Sequence, residues 1–333
     1  MTPIVDFHAH FLPQGAIEAA DTGREWHGTL LTRNANGKPW LKTGTYETGL
    51  GAVEYWEGPE QRIAAMDAAG IDMTAVSLAP PMFRYSLLDG PTGLAAARET
   101  NDTLRDWCSE WPDRFLGLAT VPLQDVDAAI GELTRAVQDL GLLGASIGTH
   151  VDGDNFDDPR FMPFFKAAEE LGAVLFVHPA GSRVGASLPR YHMRNFIGNP
   201  FETTVAIGSL IFGGVIDRAP DIKMIFAHGG GFACADAGRF DHGYRVRQEA
   251  KEHIDHLPST YLKRLFVDCL THGEQQLRAV IDTVGADRVV LGTDYPADMG
   301  LVDPKNWVLD NPLLSAEEKT AVLSGNAARL LEA

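Results

Sequence analysis

The feature that most constrains the fold of this chain is a regular alternation of short apolar runs with helical stretches. The strand-like runs are residues 3–8, 72–78, 114–121, 144–150, 173–178, 222–228, 265–270 and 287–294. The helical stretches are 60–70, 93–112, 125–141, 158–172, 202–220, 236–252, 273–285 and 315–333. Because the strands are continuous apolar runs, they are typical of a parallel sheet that helices cover on both faces. Eight such units in 333 residues predict an α/β fold of the (β/α)8 TIM-barrel type.

An open, doubly wound sheet is the alternative architecture for the same alternation. No G-x-G-x-x-G follows the first strand, which disfavours the dinucleotide-binding form of that sheet. We therefore expect one barrel domain over residues 1–333, distorted by an insertion at 14–58 after the first strand. A second long loop, 181–200, follows the fifth strand. Long loops of this kind usually act as lids or small subdomains.

Charge and cysteine content exclude several functional classes. The chain has 28 lysines and arginines against 45 aspartates and glutamates, a formal net charge of −17. Nucleic acids and anionic membranes both favour basic surfaces, so neither is an expected partner. Three scattered cysteines without a CxxC pair favour a reducing compartment. With no signal peptide and no apolar run of membrane-spanning length, we expect a cytoplasmic protein.

Histidines and one aspartate recur where the predicted strands end. They are His8 and His10 at the first strand, His150 at the fourth, His178 at the fifth, His228 at the sixth and Asp294 at the eighth. Residues two apart in a strand share a face, so the two imidazoles of the first strand point to the same side. TIM-barrel enzymes carry their active sites at the carboxyl ends of the strands. The sequence therefore predicts that these side chains meet.

The residue types in this set predict one divalent metal ion. His8, His10 and His178 offer imidazole nitrogens, and Asp294 offers a carboxylate oxygen. Such a set suits Zn²⁺ with a position left for substrate, whereas Mn²⁺, Fe²⁺ and Co²⁺ remain alternatives. No lysine ends a middle strand, so a lysine-bridged pair of metals is not expected. His228 lies beyond the ligand set and is the candidate acid or base.

The segments "DFHAHFLP", "SIGTH", "LFVHPAG", "FAHGGG" and "VVLGTDYP" resemble the amidohydrolase superfamily. Within it, the chain is most similar to the aminocarboxymuconate-semialdehyde decarboxylase branch. The resemblance implies a distorted (β/α)8 barrel with one divalent metal, usually zinc. By motif position, it makes His8, His10, His178 and Asp294 the ligands and His228 the acid/base residue, with Asp294 also part of the catalytic machinery.

The same resemblance implies a homodimer. Arg239, in "ADAGRFD", matches an arginine that in this family reaches the neighbouring subunit's site and binds the substrate carboxylate. Two positions depart from the family pattern. No arginine precedes Trp56 in "YETGLGAVEYW", and Ala180 stands where a tryptophan follows "HP". The metal chemistry is therefore expected to be kept while the substrate differs.

These observations predict a metal-dependent, non-oxidative decarboxylase of a small unsaturated or aromatic carboxylic acid. The alternative is a hydrolase or hydratase that uses metal-activated water with the same ligands. A non-catalytic metal-binding protein is a third possibility, which the retention of His228 disfavours. Arginine recognises carboxylates in a bidentate manner, so Arg239, Arg183 and Arg194 are candidates for substrate binding. His150 is expected to make hydrogen bonds at the site rather than to bind the metal.

Overall fold

Eight parallel strands form the centre of the computed structural model, which describes residues 2–331. In chain order the strands are β1 (Val5–Phe11), β2 (Glu25–Trp26), β3 (Thr29–Arg33), β4 (Pro39–Thr43), β5 (Tyr46–Gly49), β6 (Met73–Leu78), β7 (Phe115–Ala119), β8 (Gly144–Ile147), β9 (Val174–Val177), β10 (Lys223–Phe226), β11 (Phe266–Asp268) and β12 (Val289–Val290). The parallel sheet has the order β1-β6-β7-β8-β9-β10-β11-β12. Phe7 N donates to the Leu291 carbonyl at 2.9 Å, which joins the first and last strands. The predicted TIM barrel is confirmed.

Helices cover the outside of this barrel, apart from α1, which packs on the small sheet of the insertion. They are α1 (Gln14–Asp21), α2 (Pro59–Ala69), α3 (Gly90–Glu110), α4 (Val126–Gln138), α5 (Met162–Glu170), α6 (Asn199–Phe212), α7 (Val215–Arg218), α8 (Ala233–Val246), α9 (Pro258–Leu262), α10 (Glu274–Val284), α11 (Pro304–Leu309), α12 (Ala316–Thr320) and α13 (Asn326–Leu331). Within residues 2–331, no helix combines the length and apolar character needed to cross a membrane.

Two apolar cores follow from the alternation of side chains along the strands. Val174 and Phe176 of β9 belong to a core inside the barrel, whereas Leu175 and Val177 pack in the larger core with the helices. This alternation is the expected result of a strand buried on both faces.

Two predicted helices are divided in the structure. The stretch 202–220 is two helices, α6 and α7, because Gly214 adopts a left-handed φ of 66°. A Cβ there would lie 2.5 Å from the His253 carbonyl oxygen, so only glycine fits this turn. The stretch 315–333 is α12 and α13 joined by a π turn at Ala321–Gly325; residues 332–333 lie outside the described range.

The insertion at 14–58 is a small folded unit. It contains α1 and an antiparallel four-stranded sheet of order β2-β3-β4-β5. Trp26, Leu31 and Leu41 are buried beneath this sheet, and Arg84 Nη1 donates to Thr43 Oγ1 at 3.3 Å. The last residues of the insertion, including Tyr55, then reach the barrel mouth.

Candidate metal centre

The strand ends bring the predicted ligand residues together. One ligand atom from each of His8, His178, His228 and Asp294 lies within 4.8 Å of the others. The Nε2 atoms of His8 and His10 each lie 3.2 Å from Asp294 Oδ1. His228 Nε2 lies 3.5 Å from Asp294 Oδ2. The five side chains predicted as ligands and as acid/base residue therefore lie in one cluster, in which His10 contacts Asp294 but is not one of the four side chains whose ligand atoms all lie within 4.8 Å of one another.

A bulge in β1 helps to aim the first two imidazoles. The register of β1 against β6 shifts between Asp6 and Ala9, and such bulges redirect side chains. The His8 ring packs 4.8 Å from the Phe176 ring inside the barrel. The His8 and His10 ring centroids lie 5.1 Å apart. Both imidazoles therefore enter the same cluster.

Hydrogen bonds set the tautomers of two of the imidazoles. His8 Nδ1 lies 2.7 Å from Asp268 Oδ2, and His178 Nδ1 lies 2.9 Å from the Pro179 carbonyl oxygen. A carboxylate and a carbonyl only accept hydrogen bonds, so each Nδ1 carries the hydrogen. In the neutral ring the Nε2 lone pair is then free for a metal ion, which is the usual arrangement of ligating histidines.

A hydrogen bond also sets the tautomer of the third imidazole, that of His10. His10 Nδ1 lies 3.0 Å from Ser77 Oγ, and the serine hydroxyl donates to the Ala9 carbonyl at 3.3 Å. The serine therefore has lone pairs to accept from His10 Nδ1–H, which leaves Nε2 as the free atom.

Buried lone pairs without partners show that this donor set fits a cation. The Nε2 atoms of His8, His10 and His178 are buried, and none has a hydrogen-bond partner among residues 2–331. Leaving a buried acceptor unsatisfied costs roughly 1–3 kcal/mol. Three imidazole nitrogens and the Asp294 carboxylate match the ligands of divalent metal ions. We conclude that the cluster is a divalent metal site.

The electrostatics of the cluster also favour a cation. Burial lowers the pKa of His10 to about 4 and holds the pKa of His178 well below its usual value. Burial opposes protonation of His8, yet the Asp294 charge and the Asp268 hydrogen bond raise its pKa to about 10, so without a metal ion a proton occupies the position on Nε2 that a cation would take. Burial likewise opposes ionisation of Asp294, but the neighbouring histidines hold its pKa well below the usual value. The site therefore contains ionised carboxylates that a metal ion can neutralise.

Asp268 is a functional residue that the sequence analysis missed. Its Oδ2 accepts from His8 Nδ1 at 2.7 Å and from His228 N at 3.0 Å. Its Oδ1 accepts from Gly229 N at 2.8 Å and from Leu270 N at 3.1 Å. This buried carboxylate thus links the imidazole of His8 to the backbone of His228. The available signal was an aspartate inside the apolar run "LFVDCL".

The backbone at two strand ends adopts an unusual conformation. His228 and Asp294 have left-handed φ values of 57° and 60°, which are uncommon for residues with a Cβ. Gly231 follows His228 in "HGGG", and a Cβ on it would lie 2.4 Å from the Pro200 carbonyl oxygen. Sparsely populated backbone conformations cluster at active sites, and here they turn His228 and Asp294 towards each other.

The cleft above the cluster has two lobes that share Asp294. The polar lobe, of about 480 Å³, is lined by His10, Tyr46, Tyr55, His178, Ala180, Arg194 and Asp298, among others. The apolar lobe, of about 420 Å³, is lined by Phe196, His228, Phe232, Leu270, Val280 and Met299, among others. Both volumes lie in the range of small-molecule sites. The imidazoles of His10 and His178 therefore face one lobe and that of His228 the other.

The predicted substrate-binding arginines occupy different places. Within the described part of the chain, Arg194 is the only arginine or lysine that lines either lobe. Its Nε donates to the Gly185 carbonyl at 3.2 Å. Arg239 is exposed on α8 and lines neither lobe. Its predicted contact with a neighbouring subunit stays a prediction.

Arg183 and His150 lie in the wall beyond the polar lobe. Arg183 Nε and Nη2 donate to Glu202 Oε2 at 2.9 and 2.7 Å, so its charge is compensated within the chain. His150 Nδ1 accepts from Gly153 N at 3.1 Å. Neither side chain is part of the metal cluster.

Comparisons with known proteins agree with this geometry. The amidohydrolase family model matches residues 5–333. The chain is 36% identical over 277 residues to 2-amino-3-carboxymuconate-6-semialdehyde decarboxylase of Dictyostelium discoideum, covering 83% of this chain and 77% of that protein. It is 31% identical over 300 residues to gamma-resorcylate decarboxylase of Rhizobium radiobacter, covering 82% and 86%.

A solved structure shares the fold over the full length. It is a dihydroxybenzoic acid decarboxylase from Polaromonas sp. JS666 with bound manganese and the inhibitor 2-nitroresorcinol. The TM-score is 0.79 at 21% identity, covering 100% of this chain and 97% of that chain. The chain therefore belongs to the amidohydrolase family, in the branch of the aminocarboxymuconate-semialdehyde decarboxylases.

Proposed function

We propose that this protein is a metal-dependent, non-oxidative decarboxylase that acts on a small unsaturated or aromatic carboxylic acid. The observation that carries the proposal is the cluster of three partnerless imidazole nitrogens and Asp294, with His228 beside it. Its relatives among the decarboxylases support the same reaction class.

The metal ion in this proposal is held by His8, His10, His178 and Asp294. When bound, it supplies Lewis-acid stabilisation of negative charge on the substrate. The three-nitrogen, one-oxygen set supports zinc. Manganese in the related Polaromonas structure makes Mn²⁺ the alternative, which elemental analysis of the purified protein distinguishes.

His228 supplies the proton in the proposed reaction. It protonates the carbon that carries the carboxylate, which interrupts the conjugation of the substrate. The carbon–carbon bond to the carboxylate then breaks, its electron pair restores the conjugated system, and CO2 leaves. His228 lines the apolar lobe beside Asp294, so the unsaturated body of the substrate lies in reach of this proton. Histidine suits the step because its unperturbed pKa is near neutrality.

Arg194 is the proposed partner for the anionic part of the substrate in the polar lobe. The chain carries a net charge of −17, so a carboxylate needs a local cation there. The homodimer, in which Arg239 completes the neighbouring site, and the cytoplasmic location are further parts of this proposal. Free Cys108, Cys234 and Cys269 are compatible with a reducing compartment.

Hydrolysis or hydration is the second reading, because it uses the same ligands. The deciding experiment incubates the metal-loaded protein with hydroxybenzoic and unsaturated acids and measures CO2 together with product mass. The proposal expects CO2 and a product lighter by the carboxyl group. A product heavier by one water, or a cleaved ester without CO2, would establish the second reading instead.

A further inference from the structure

A side pocket of about 260 Å³ adjoins the polar lobe. The two cavities share Tyr46, Pro81, Ala180, Gly181 and Ser182 in their walls, so they lie side by side. Ala180 contributes only a methyl group at this junction. The junction is therefore the place where a substituent on a substrate in the polar lobe would enter the side pocket.

Two hydroxyl groups in the side pocket have unused hydrogen-bonding capacity. Thr149 is 1% exposed, and its Oγ1 has no hydrogen-bond partner among the described residues. Tyr85 is also buried, and its hydroxyl accepts from Gly148 N at 3.2 Å. The phenolic hydrogen of Tyr85 donates to no group in the described chain. Both residues line the pocket, and both hydroxyls can donate to a ligand.

His150 adds a third donor. Its Nδ1 accepts a hydrogen bond from Gly153 N at 3.1 Å, so the hydrogen of the neutral ring is on Nε2. Burial lowers the pKa of His150, which favours this neutral form. The nearest carboxylate oxygen, Glu202 Oε2, lies 3.9 Å from Nε2, beyond hydrogen-bond distance. The Nε2–H group is therefore free to donate.

The charges around the side pocket balance. Arg183 is bound to the buried carboxylate of Glu202 at 2.7 Å. The wall has one further charged residue of each sign, Arg84 and Asp152; the buried Arg84 donates to the Met82 carbonyl and to Thr43 Oγ1, and Asp152 is exposed. A pocket with three unused donors and no net charge favours an uncharged acceptor over a second carboxylate.

We propose that this side pocket is a substrate subsite for a neutral hydrogen-bond acceptor, a carbonyl or ether oxygen, carried by the acid that binds at the metal. This subsite proposal rests on the proposed function, because it assumes that the carboxylate of the acid occupies the cleft at the metal. Thr149, Tyr85 and His150 recognise the acceptor, and Ala180 determines whether a substituent can enter.

The test measures binding to the metal-loaded protein by isothermal titration calorimetry, so it needs no turnover. The probes are benzoate and its acetyl, isopropyl and carboxylate derivatives, substituted at position 3 or 4 of the ring. Acetyl and isopropyl groups have similar shapes, but only acetyl accepts a hydrogen bond. We expect the better acetyl isomer to bind about fivefold more tightly than its isopropyl counterpart.

Two variants locate the effect. Thr149→Val removes the hydroxyl at constant shape and is expected to reduce the acetyl preference at least about twofold, with benzoate binding unchanged. Thr134→Val is the matched control, because Thr134 lies on α4 and bonds the Ile130 carbonyl; it should keep the full preference. Ala180→Trp should weaken both substituted ligands about tenfold or more and weaken benzoate less, because benzoate has no substituent to place at the junction.

Each contrary outcome overturns a defined claim. Equal binding of the acetyl and isopropyl ligands, or tighter binding of the dicarboxylate than of the acetyl ligand, overturns the neutral subsite alone. An equal loss of benzoate in Ala180→Trp overturns its role as an entrance. If benzoate and all of its derivatives fail to bind the metal-loaded protein, the subsite is overturned, and the CO2 assay then decides the proposed function separately. If Ala180→Trp does not fold, as judged by circular dichroism, Thr149→Val decides the proposal.

Discussion

At the scale of single residues, Asp268 shows how one carboxylate organises the site. Each of its oxygens accepts two N–H donors, and a neutral group of the same size cannot accept all four. Asp268→Asn places an NH2 group against two of these donors. We expect metal affinity to fall roughly 10–100-fold, as for other partners of ligating histidines, and CO2 release to fall with it.

Metal content after dialysis against a buffered free-metal solution checks this prediction for Asp268→Asn. Asp282→Asn is the matched control, because Asp282 is exposed and pairs with Arg278 on the surface at 2.7 Å. A variant of Asp268 that retains both wild-type metal content and wild-type turnover would contradict the positioning role.

Substitution of His228 tests whether this residue acts as the acid rather than as a metal ligand. Asparagine tolerates the left-handed backbone of this position, so His228→Asn removes the imidazole with little backbone strain. We expect one metal ion per chain to remain while CO2 release falls about 10²–10⁴-fold. His10→Asn should instead lose the metal. If His228→Asn loses the metal and His10→Asn keeps it, then His228 is a metal ligand and His10 is not.

The sequence could predict which histidines and which aspartate would meet, because they lie at the ends of apolar runs in a repeating pattern; their roles as ligands stay a prediction. Asp268 lies inside such a run, where the sequence pattern does not distinguish a functional buried carboxylate from a polar residue that interrupts the strand. The partnerless hydroxyl of Thr149 could not be predicted, because its hydrogen bonds depend on residues distant in the chain.

At the scale of elements, the close approach of β8 and β9 can be tested by substituting the glycine at their contact. A Cβ on Gly144 would lie 2.0 Å from the Val174 carbonyl oxygen and 2.5 Å from its nitrogen. Because backbone cannot yield as a flexible side chain does, Gly144→Ala should destabilise the protein by about 3 kcal/mol. The free energy of unfolding in urea measures this effect.

The control for that substitution is a glycine with free space around it. Gly131 lies inside α4, and a Cβ there meets no atom within 4 Å. Gly131→Ala should therefore stabilise the protein by roughly 0.5–1 kcal/mol. Equal effects of the two substitutions would show that β8 and β9 do not approach as described.

The order of the elements followed from periodicity, but two details did not. The pattern 202–220 is that of one continuous helix, so the break at Gly214 depends on its close approach to His253, which a local pattern does not contain. The strands of the insertion are two to five residues long. Such short, partly exposed strands carry too little periodicity to be recognised from sequence.

At the scale of the whole molecule, the fold gathers residues from positions 8 to 294 into one site. The alternation of eight strands and helices predicted this barrel, and strand ends predicted which side chains would meet. The assignment of residues 1–333 to one domain stays a prediction. The homodimer and the identity of the metal also stay predictions, since they depend on a second subunit and on the ion.

The measurement that tests the central claim most directly is metal-dependent CO2 release. The protein is stripped with a chelator, reloaded with increasing Zn²⁺ or Mn²⁺, and assayed with ¹³C-carboxyl-labelled hydroxybenzoic and unsaturated acids by mass spectrometry of the gas. The account predicts no ¹³CO2 from the stripped protein and a linear recovery that saturates at one metal ion per chain. Labelled carbon that stays in the product at every metal concentration, or ¹³CO2 release that is unaffected by the chelator, would contradict it.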